Sequence, residues 1–227
     1  LKFQRCLDRY YDYIEDLENS EFVISMDNDD EKMNTAEAKN YLASKVNLNS
    51  HYNNNTSKIM AINADIPTTA WDILVLISDD MIPEIKGFDQ IIRSKMKEHY
   101  PDTDGVLWFF DGWREDLNTL CILGRKYYDR FGYIYHPSYE SFRSDAEFTE
   151  VGTNLNKQTY IDKVIIRHLH PDIVMADKDT RVKFAEFLPE YASAGSCGHD
   201  QLWQKNSLEG DPDHKIYLNR KAAGFQI

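Results

Sequence analysis

The sequence predicts an α/β fold in which a mostly parallel central sheet carries helices on both faces. Residues 73–77 are an unbroken apolar run, ILVLI, rich in β-branched side chains. Such a run is typical of a strand that is buried on both faces of a parallel sheet. Predicted strands also alternate with amphipathic helices along the chain, and strand–helix–strand units form parallel sheets with right-handed crossovers.

The first predicted element is a helix, because apolar residues recur from Phe3 to Leu17 at alternating four- and three-residue steps. Strands are then predicted at residues 22–26, before residue 55, at 73–77, 106–110, 120–123, and from 164 to a stop at Pro171. Helices are predicted at 34–43, 57–64, 88–96, 126–131 and 144–151, the last opening with Ser144 or Asp145 as its cap. Residues 133–139 are predicted to be an aromatic loop that lines a cleft.

Composition limits the class of protein. The chain has 227 residues, of which 42% are hydrophobic, and its formal net charge is -12. This number of hydrophobic residues is sufficient for the core of one α/β domain spanning 1–227. Lys and Arg do not cluster as phosphate contacts require, so a nucleic-acid partner is not expected. A nucleotide ligand carried by a metal ion remains compatible with this charge.

The cysteines and the hydropathy of the chain predict the compartment in which the protein works. Cys6, Cys121 and Cys197 are widely spaced, without a CxxC pair, which favours a reducing, cytoplasmic compartment. No stretch is long and apolar enough to span a membrane, and there is no signal peptide. Because the sequence enters at Leu1 on a helical pattern, we expect the first strand of the fold to be missing upstream.

Acidic residues follow three predicted strands: Asp27, then Asp79 with Asp80, then Asp111. Carboxyl ends of parallel strands meet at one edge of a sheet, where ligands bind, and clustered carboxylates there need a compensating cation. The chain has no GxGxxG and no P-loop, so a divalent metal is the natural means of holding phosphates. Taken alone, an adjacent Asp pair more often caps a turn or a helix.

These elements and motifs resemble the GT-A glycosyltransferases, in particular inverting, family-two-like members, which transfer a sugar from a nucleotide diphosphate donor. The likeness covers most of the chain up to about Pro171. Its motifs are the acid at Asp27, KIMAINAD at 58–65, ISDDM at 77–81, SDAEF at 144–148 and HLHP at 168–171. The resemblance implies a Rossmann-like sheet.

The resemblance also implies how a donor would be bound. Asp27 matches the acid that contacts the nucleotide base, and Lys58 and Asn63 lie in a donor-side motif. Asp79 and Asp80 match the DxD motif, with Asp80 the expected ligand of Mn²⁺ or Mg²⁺; the bare Asp-Asp leaves their division of labour open. His168 and His170, which alternate along a strand, could complete the metal shell.

On the acceptor side, Asp145 matches the general base of inverting members. Glu147 is a rival for this role, and both acids could instead complement a helix dipole. Trp108, Asp111 and Tyr139 are candidate acceptor contacts, although core packing explains aromatic residues equally well.

The hypothesis is a metal-dependent glycosyltransferase that acts on a nucleotide diphosphate-sugar donor and a glycan or other hydroxyl acceptor. Two alternatives stay open at this point. One is a sugar-phosphate nucleotidyltransferase, and the other is a non-catalytic nucleotide- or carbohydrate-binding domain.

Overall fold

The computed structural model describes residues 2–68, 70–170, 174, 177–187 and 211–227. The predicted strand stop at Pro171 lies outside these residues, and so does Cys197. The described chain is a mixed α/β protein with several small sheets. Within it, no helix is long and apolar enough to cross a membrane.

The elements follow the predicted order closely. The strands are β1 (Phe22–Asp27), β2 (Leu48–Asn53), β3 (Ile73–Val75), β4 (Met81–Pro83), β5 (Val106–Phe109), β6 (Ile122–Gly124), β7 (Gln158–Ile161) and β8 (Ile166–His168). The helices are α1 (Lys2–Tyr13), α2 (Ala36–Ala43), α3 (Lys58–Ala64), α4 (Phe88–His99), α5 (Arg125–Tyr128), α6 (Ser144–Asn154), α7 (Lys178–Lys183) and α8 (Pro212–Ala222).

The sheets are mixed, which corrects the prediction of a mostly parallel central sheet. β1 pairs with β2 in parallel, a four-stranded sheet has the order β3-β6-β5-β7, and β4 pairs with β8. Among the described strands, three of the five pairings are antiparallel. Two of these three pairings involve β6, which follows β5 without a crossover helix and therefore returns beside it in the opposite direction. The third joins β4 to β8.

Local side-chain chemistry explains where two of the helices begin. The side chain of Thr35 accepts a hydrogen bond from Ala38 N at the start of α2, and Ser57 accepts one from Met60 N at the start of α3. The predicted cap of α6 by Ser144 or Asp145 is wrong. That helix begins after Arg143, which has a left-handed φ of 64° and no side-chain capping bond.

Helices cover both faces of the four-stranded sheet, as predicted. Side chains alternate along β5, so Leu107 and Phe109 face a core built with α1 and α4. Val106 faces the opposite core, which contains side chains from α3, α5 and α6. The acids that follow β3 and β5 are thereby placed at one edge of a two-sided sheet.

The central strand differs from the prediction. Only Ile73–Val75 form β3, and residues 73–77 are half-buried instead of buried. The reason is that β3 pairs on one side with β6 while its other edge lines a cavity. Asp79 and Asp80 consequently lie in the turn between β3 and β4 and not directly at the strand end.

Candidate functional site

The centre of the candidate site is a histidine between two carboxylates. His168, at the end of β8, has its Nε2 3.4 Å from Oδ2 of Asp80 and its Nδ1 3.6 Å from Oδ2 of Asp111. Leu169 N donates to Asp80 O (2.7 Å), and His168 N donates to Asp111 O (2.9 Å). Backbone pairing therefore fixes both acids on either side of the imidazole.

The electrostatics of this centre favour a protonated His168 beside an ionised Asp80. Burial would lower the pKa of His168, but Asp111 and Asp80 outweigh burial and raise the pKa to about 9. Burial likewise opposes ionisation of Asp80, yet His168 and the Ser78 hydroxyl hold its pKa well below the ordinary value. The two acids therefore favour the charged form of the imidazole.

Asp111 is buried, and its carboxylate holds the loop that follows β5 by hydrogen bonds. Its Oδ1 accepts from Trp113 N (2.7 Å) and Arg114 N (2.8 Å), and its Oδ2 accepts from the Thr119 hydroxyl (2.5 Å). Its side chain is only 2% exposed, so the predicted contact of Asp111 with an acceptor does not fit. Its Oδ2 lies 3.6 Å from Nδ1 of His168, so Asp111 acts on the imidazole through its charge.

Asp80 and His168 fit a divalent metal by the chemistry of their donor atoms. A carboxylate oxygen and an imidazole nitrogen suit Mn²⁺ as well as Mg²⁺, and two ligands each about 2.1 Å from one ion stand about 3 Å apart. Nδ1 of His168 is buried without a hydrogen bond to the described residues. Those residues contain no group of three or more His, Cys, Asp or Glu arranged around a cation, so phosphate and water oxygens would have to supply the remaining positions.

His170 lies beside His168, with the two ring centres 5.6 Å apart. Its ring stacks on that of Trp113, at 4.0 Å and an angle of 17°. The two histidines share a side of the chain, as their alternation predicts. The ring of His170 is therefore held between Trp113 and His168 by aromatic contacts.

Asp145 occupies the first turn of α6 and is half-buried. Burial of the carboxyl raises its pKa, against a hydrogen bond from Ala146 N and the charges of Lys58 and Arg114. The guanidinium of Arg114 donates to Asp116 at 2.6 and 2.8 Å and also interacts through its charge with both Asp145 and Asp111. Arg114 had no signal in the spacing of the sequence motifs, and only the fold identifies it.

Glu147 lies in the same first turn of α6 but is buried, and hydrogen bonds hold its carboxylate. Arg220 donates to it through Nε and Nη2, both at 2.7 Å, and the Tyr139 hydroxyl donates at 2.7 Å. Tyr139 is 1% exposed. The predicted acceptor contact of Tyr139 is therefore wrong, because its ring is in the core and its hydroxyl is committed to Glu147.

The predicted donor contacts are dispersed. Asp27 ends β1, half-buried, and its Oδ1 accepts from Asn55 Nδ2 (2.8 Å). Asn63 is a structural clamp, since its Nδ2 donates to Tyr135 O (2.7 Å) and its Oδ1 accepts from Ile134 N (2.9 Å). The role of Asn63 in donor binding is not supported, because its amide is used to hold the 134–135 loop.

Two further predicted residues lie at the surface of the site. Asp79 is exposed, and its Oδ1 is 3.6 Å from Nζ of Lys2. Trp108 is half-buried on β5 and forms an edge-to-face contact with Tyr160, at 5.1 Å between ring centres. Tyr160 is 41% exposed, so this aromatic pair is accessible to a ligand.

Comparison of the chain with protein-family models, with curated proteins and with solved structures gives no match in any of the three.

Proposed function

We propose that the protein is a metal-dependent glycosyltransferase that moves a sugar from a nucleotide diphosphate-sugar donor to a hydroxyl acceptor. The observation that carries this proposal is the arrangement of Asp80, His168 and Asp111. A carboxylate and a histidine meet near the carboxyl ends of β3 and β5, where α/β sheets bind ligands. A second carboxylate, Asp111, lies 3.6 Å from the other ring nitrogen of the histidine.

Asp80 and His168 would hold Mn²⁺ or Mg²⁺. When bound, the ion supplies positive charge to a diphosphate leaving group. Asp79 is exposed next to this position and is assigned to the ribose or sugar of the donor. Asp27, at the end of another strand, is assigned to the base.

Asp145 is assigned as the general base. Its raised pKa makes it a better proton acceptor than an ordinary aspartate, and its partial exposure leaves the carboxylate accessible to a hydroxyl. The base takes the proton of the acceptor hydroxyl as the oxygen attacks the sugar carbon and the nucleoside diphosphate leaves. Direct displacement of this kind inverts the configuration of the sugar.

Lys58 and Arg114 flank Asp145 and partly offset the burial of its charge. Both charges favour the ionised carboxylate, which is the form that can act as a base. Glu147 is not chosen, since Arg220 and Tyr139 occupy its oxygens. Trp108 with Tyr160 is the better candidate for stacking against an acceptor sugar.

The absence of a disulfide between the described cysteines is compatible with the reducing, cytoplasmic compartment expected from the sequence. Cys6 and Cys121 are buried free cysteines. Burial raises the pKa of both thiols, so they are poor nucleophiles and are not assigned to the reaction.

A thermal-shift titration tests the proposal. UDP and GDP should raise the melting temperature more with Mn²⁺ or Mg²⁺ than with EDTA, because a ligand that binds only the folded state stabilises it. Asp80→Ala should abolish the metal-dependent part. Asp162→Ala is the matched control, because Asp162 is an exposed acid that follows β7. Equal stabilisation in EDTA would remove the metal from the account.

A non-catalytic nucleotide-binding domain is the second candidate. It is favoured by the lack of a complete acidic cage for a cation among the described residues. Such a domain would bind nucleotide in the same titration but would release no nucleoside diphosphate from a sugar donor.

A further inference from the structure

A cavity of about 1200 Å³ separates β1 from β3. Its lining includes residues 22–25 of β1 on one side and residues 72–78, which contain β3, on the other. Among the described strands, β1 pairs only with β2, and β3 pairs only with β6. Each strand therefore presents one backbone edge to the cavity, and exposed edges of this kind are sites where another strand pairs.

Helices line the cavity above and below the plane of these edges. Cys6 and Tyr10 of α1 and Ile92 of α4 contribute side chains that belong to one core. Ala61 and Ile62 of α3 contribute to the lining as well, and Ile62 packs against the other core. Helices thus border the space as they border an internal strand of an α/β sheet.

The side chains on the two edges are those of buried strands. Ile24 and residues 73–77 are apolar, yet all are half-buried. A strand inserted between the edges would cover them. The apolar composition of β3, which predicts burial on both faces, is explained if the cavity is filled.

The position of α1 specifies the direction that a strand in the cavity would have if it led into α1. α1 begins where β3 leads into the Asp79 turn, since Nζ of Lys2 is 3.6 Å from Asp79. The helix then runs back about 18 Å for its twelve residues to Tyr13, whose carbonyl accepts from Gly87 N (2.7 Å). A strand that ran parallel to β3 and ended at the Asp79 turn could enter α1 directly.

We propose that the cavity is the seat of an internal β-strand that leads into α1, runs parallel to β1 and β3, and joins the two sheets. The strand order becomes β2-β1-strand-β3-β6-β5-β7. The new strand, α1 and β1 then form a strand–helix–strand unit of the kind that builds parallel sheets. This inference depends on packing alone and does not rest on glycosyl transfer.

The first test adds a strand to the chain. Extensions of five, six and seven alternating Val, Ile and Thr residues are fused ahead of Leu1. Each has a matched control in which two central residues are proline, which cannot donate ladder hydrogen bonds. Hydrogen exchange is measured for the amides of residues 22–27 and 73–77.

The expected result is exchange at least about tenfold slower at both edges with one of the extensions, and no change with its proline control. Protection at only one edge would contradict the seat between two strands. If none of the three extensions slows exchange at either edge, the proposal is wrong.

The second test uses the chain without any extension. Neighbouring strands are about 4.8 Å apart, so a seat one strand wide holds β1 and β3 about 9.6 Å apart, beyond the reach of a disulfide. Ile24→Cys with Val75→Cys should remain reduced under mild oxidant, as peptide mapping would show. The positive control is Ile24→Cys with Ser50→Cys, which are paired in register. A disulfide between positions 24 and 75 would mean that the edges pair directly and would overturn the proposal.

Discussion

Arg220 of α8 donates two hydrogen bonds to Glu147 of α6, from Nε to Oε2 and from Nη2 to Oε1, each 2.7 Å long. The two side chains are 13% and 6% exposed. This ion pair ties the last described helix to the helix that carries Asp145. Asp145 and Glu147 lie in the same turn, but only Glu147 is held in this ion pair. Glu147 is therefore a structural residue, and Asp145 remains the candidate base.

Glu147→Gln should lower the free energy of unfolding by about 3 kcal/mol, because it leaves the buried Arg220 guanidinium without its counter-charge. Urea unfolding measures the change. Glu147→Leu combined with Arg220→Met should cost less than Glu147→Leu alone, since no charge is then left buried. A loss below about 0.5 kcal/mol for Glu147→Gln, as at ordinary surface sites, would show that the ion pair is not structural.

Asp104 predicts an acid-sensitive contribution to stability. Arg130 donates to both of its oxygens, at 2.9 and 2.5 Å, and Nζ of Lys157 lies 2.9 Å from Oδ2. Arg130 and then Lys157 outweigh burial and lower the pKa of Asp104 to about 2. Because this pKa is below the unfolded value, the stabilisation is present above about pH 4 and is lost as the pH falls toward 2.

The free energy of unfolding of the wild type should therefore exceed that of Asp104→Asn by about 2 kcal/mol at pH 7. The difference should shrink between pH 4 and pH 2. Urea unfolding of both proteins across this range checks the prediction. A difference that stayed constant down to pH 2 would mean that the charge of Asp104 is not its source.

The order of the elements could be predicted because most of them carry local signals. The stripe of α1, the caps of α2 and α3 and the apolar run of β5 each act within a few residues. β4 was missed because it is three residues long and ends in Pro83. β7 was missed because its sequence, QTYI, lacks an apolar pattern. The reversed direction of β6 was not predictable, since a strand buried on both faces looks alike in either orientation.

The site was predictable only in part for a related reason. Strand-end position identifies Asp80 and Asp111 as neighbours of one sheet edge, and His168 lies between them. Tyr139 and Asn63 were misassigned because the sequence alone does not distinguish a buried aromatic ring or a structural amide from a residue that contacts a ligand. Arg114 and Arg220 depend on tertiary contacts that no local pattern records.

Gly112 should be sensitive to substitution because of both its backbone and its neighbour. Its φ is +89°, and a Cβ there would lie 2.2 Å from Nη1 of Arg167. Gly112→Ala should therefore displace the Arg167 side chain, which donates to Glu84. Gly132 is the matched control, with a φ of +71° and no atom within 4 Å of the added Cβ.

Gly132→Ala should lose about 1 kcal/mol from backbone strain alone. Gly112→Ala should lose at least about 1 kcal/mol more, as overpacking adds to the strain. Denaturant unfolding compares the two. Equal losses would show that the loop after Asp111 accommodates a Cβ without moving Arg167.

The most direct measurement for the central claim is nucleoside diphosphate release by wild type, Asp145→Asn and Glu147→Gln, with UDP- and GDP-sugars, Mn²⁺ and a panel of hydroxyl acceptors. Asp145→Asn keeps the shape of the side chain but cannot accept the proton, so turnover should fall roughly a hundred- to ten-thousandfold while metal-dependent nucleotide binding is retained. Glu147→Gln should keep most of its turnover per folded molecule. The assignment of Asp145 as the base would be contradicted by unchanged turnover in Asp145→Asn. It would also be contradicted if Glu147→Gln lost more turnover than Asp145→Asn at an equal folded fraction. Glycosyl transfer itself would be contradicted if the wild type released no nucleoside diphosphate from any donor.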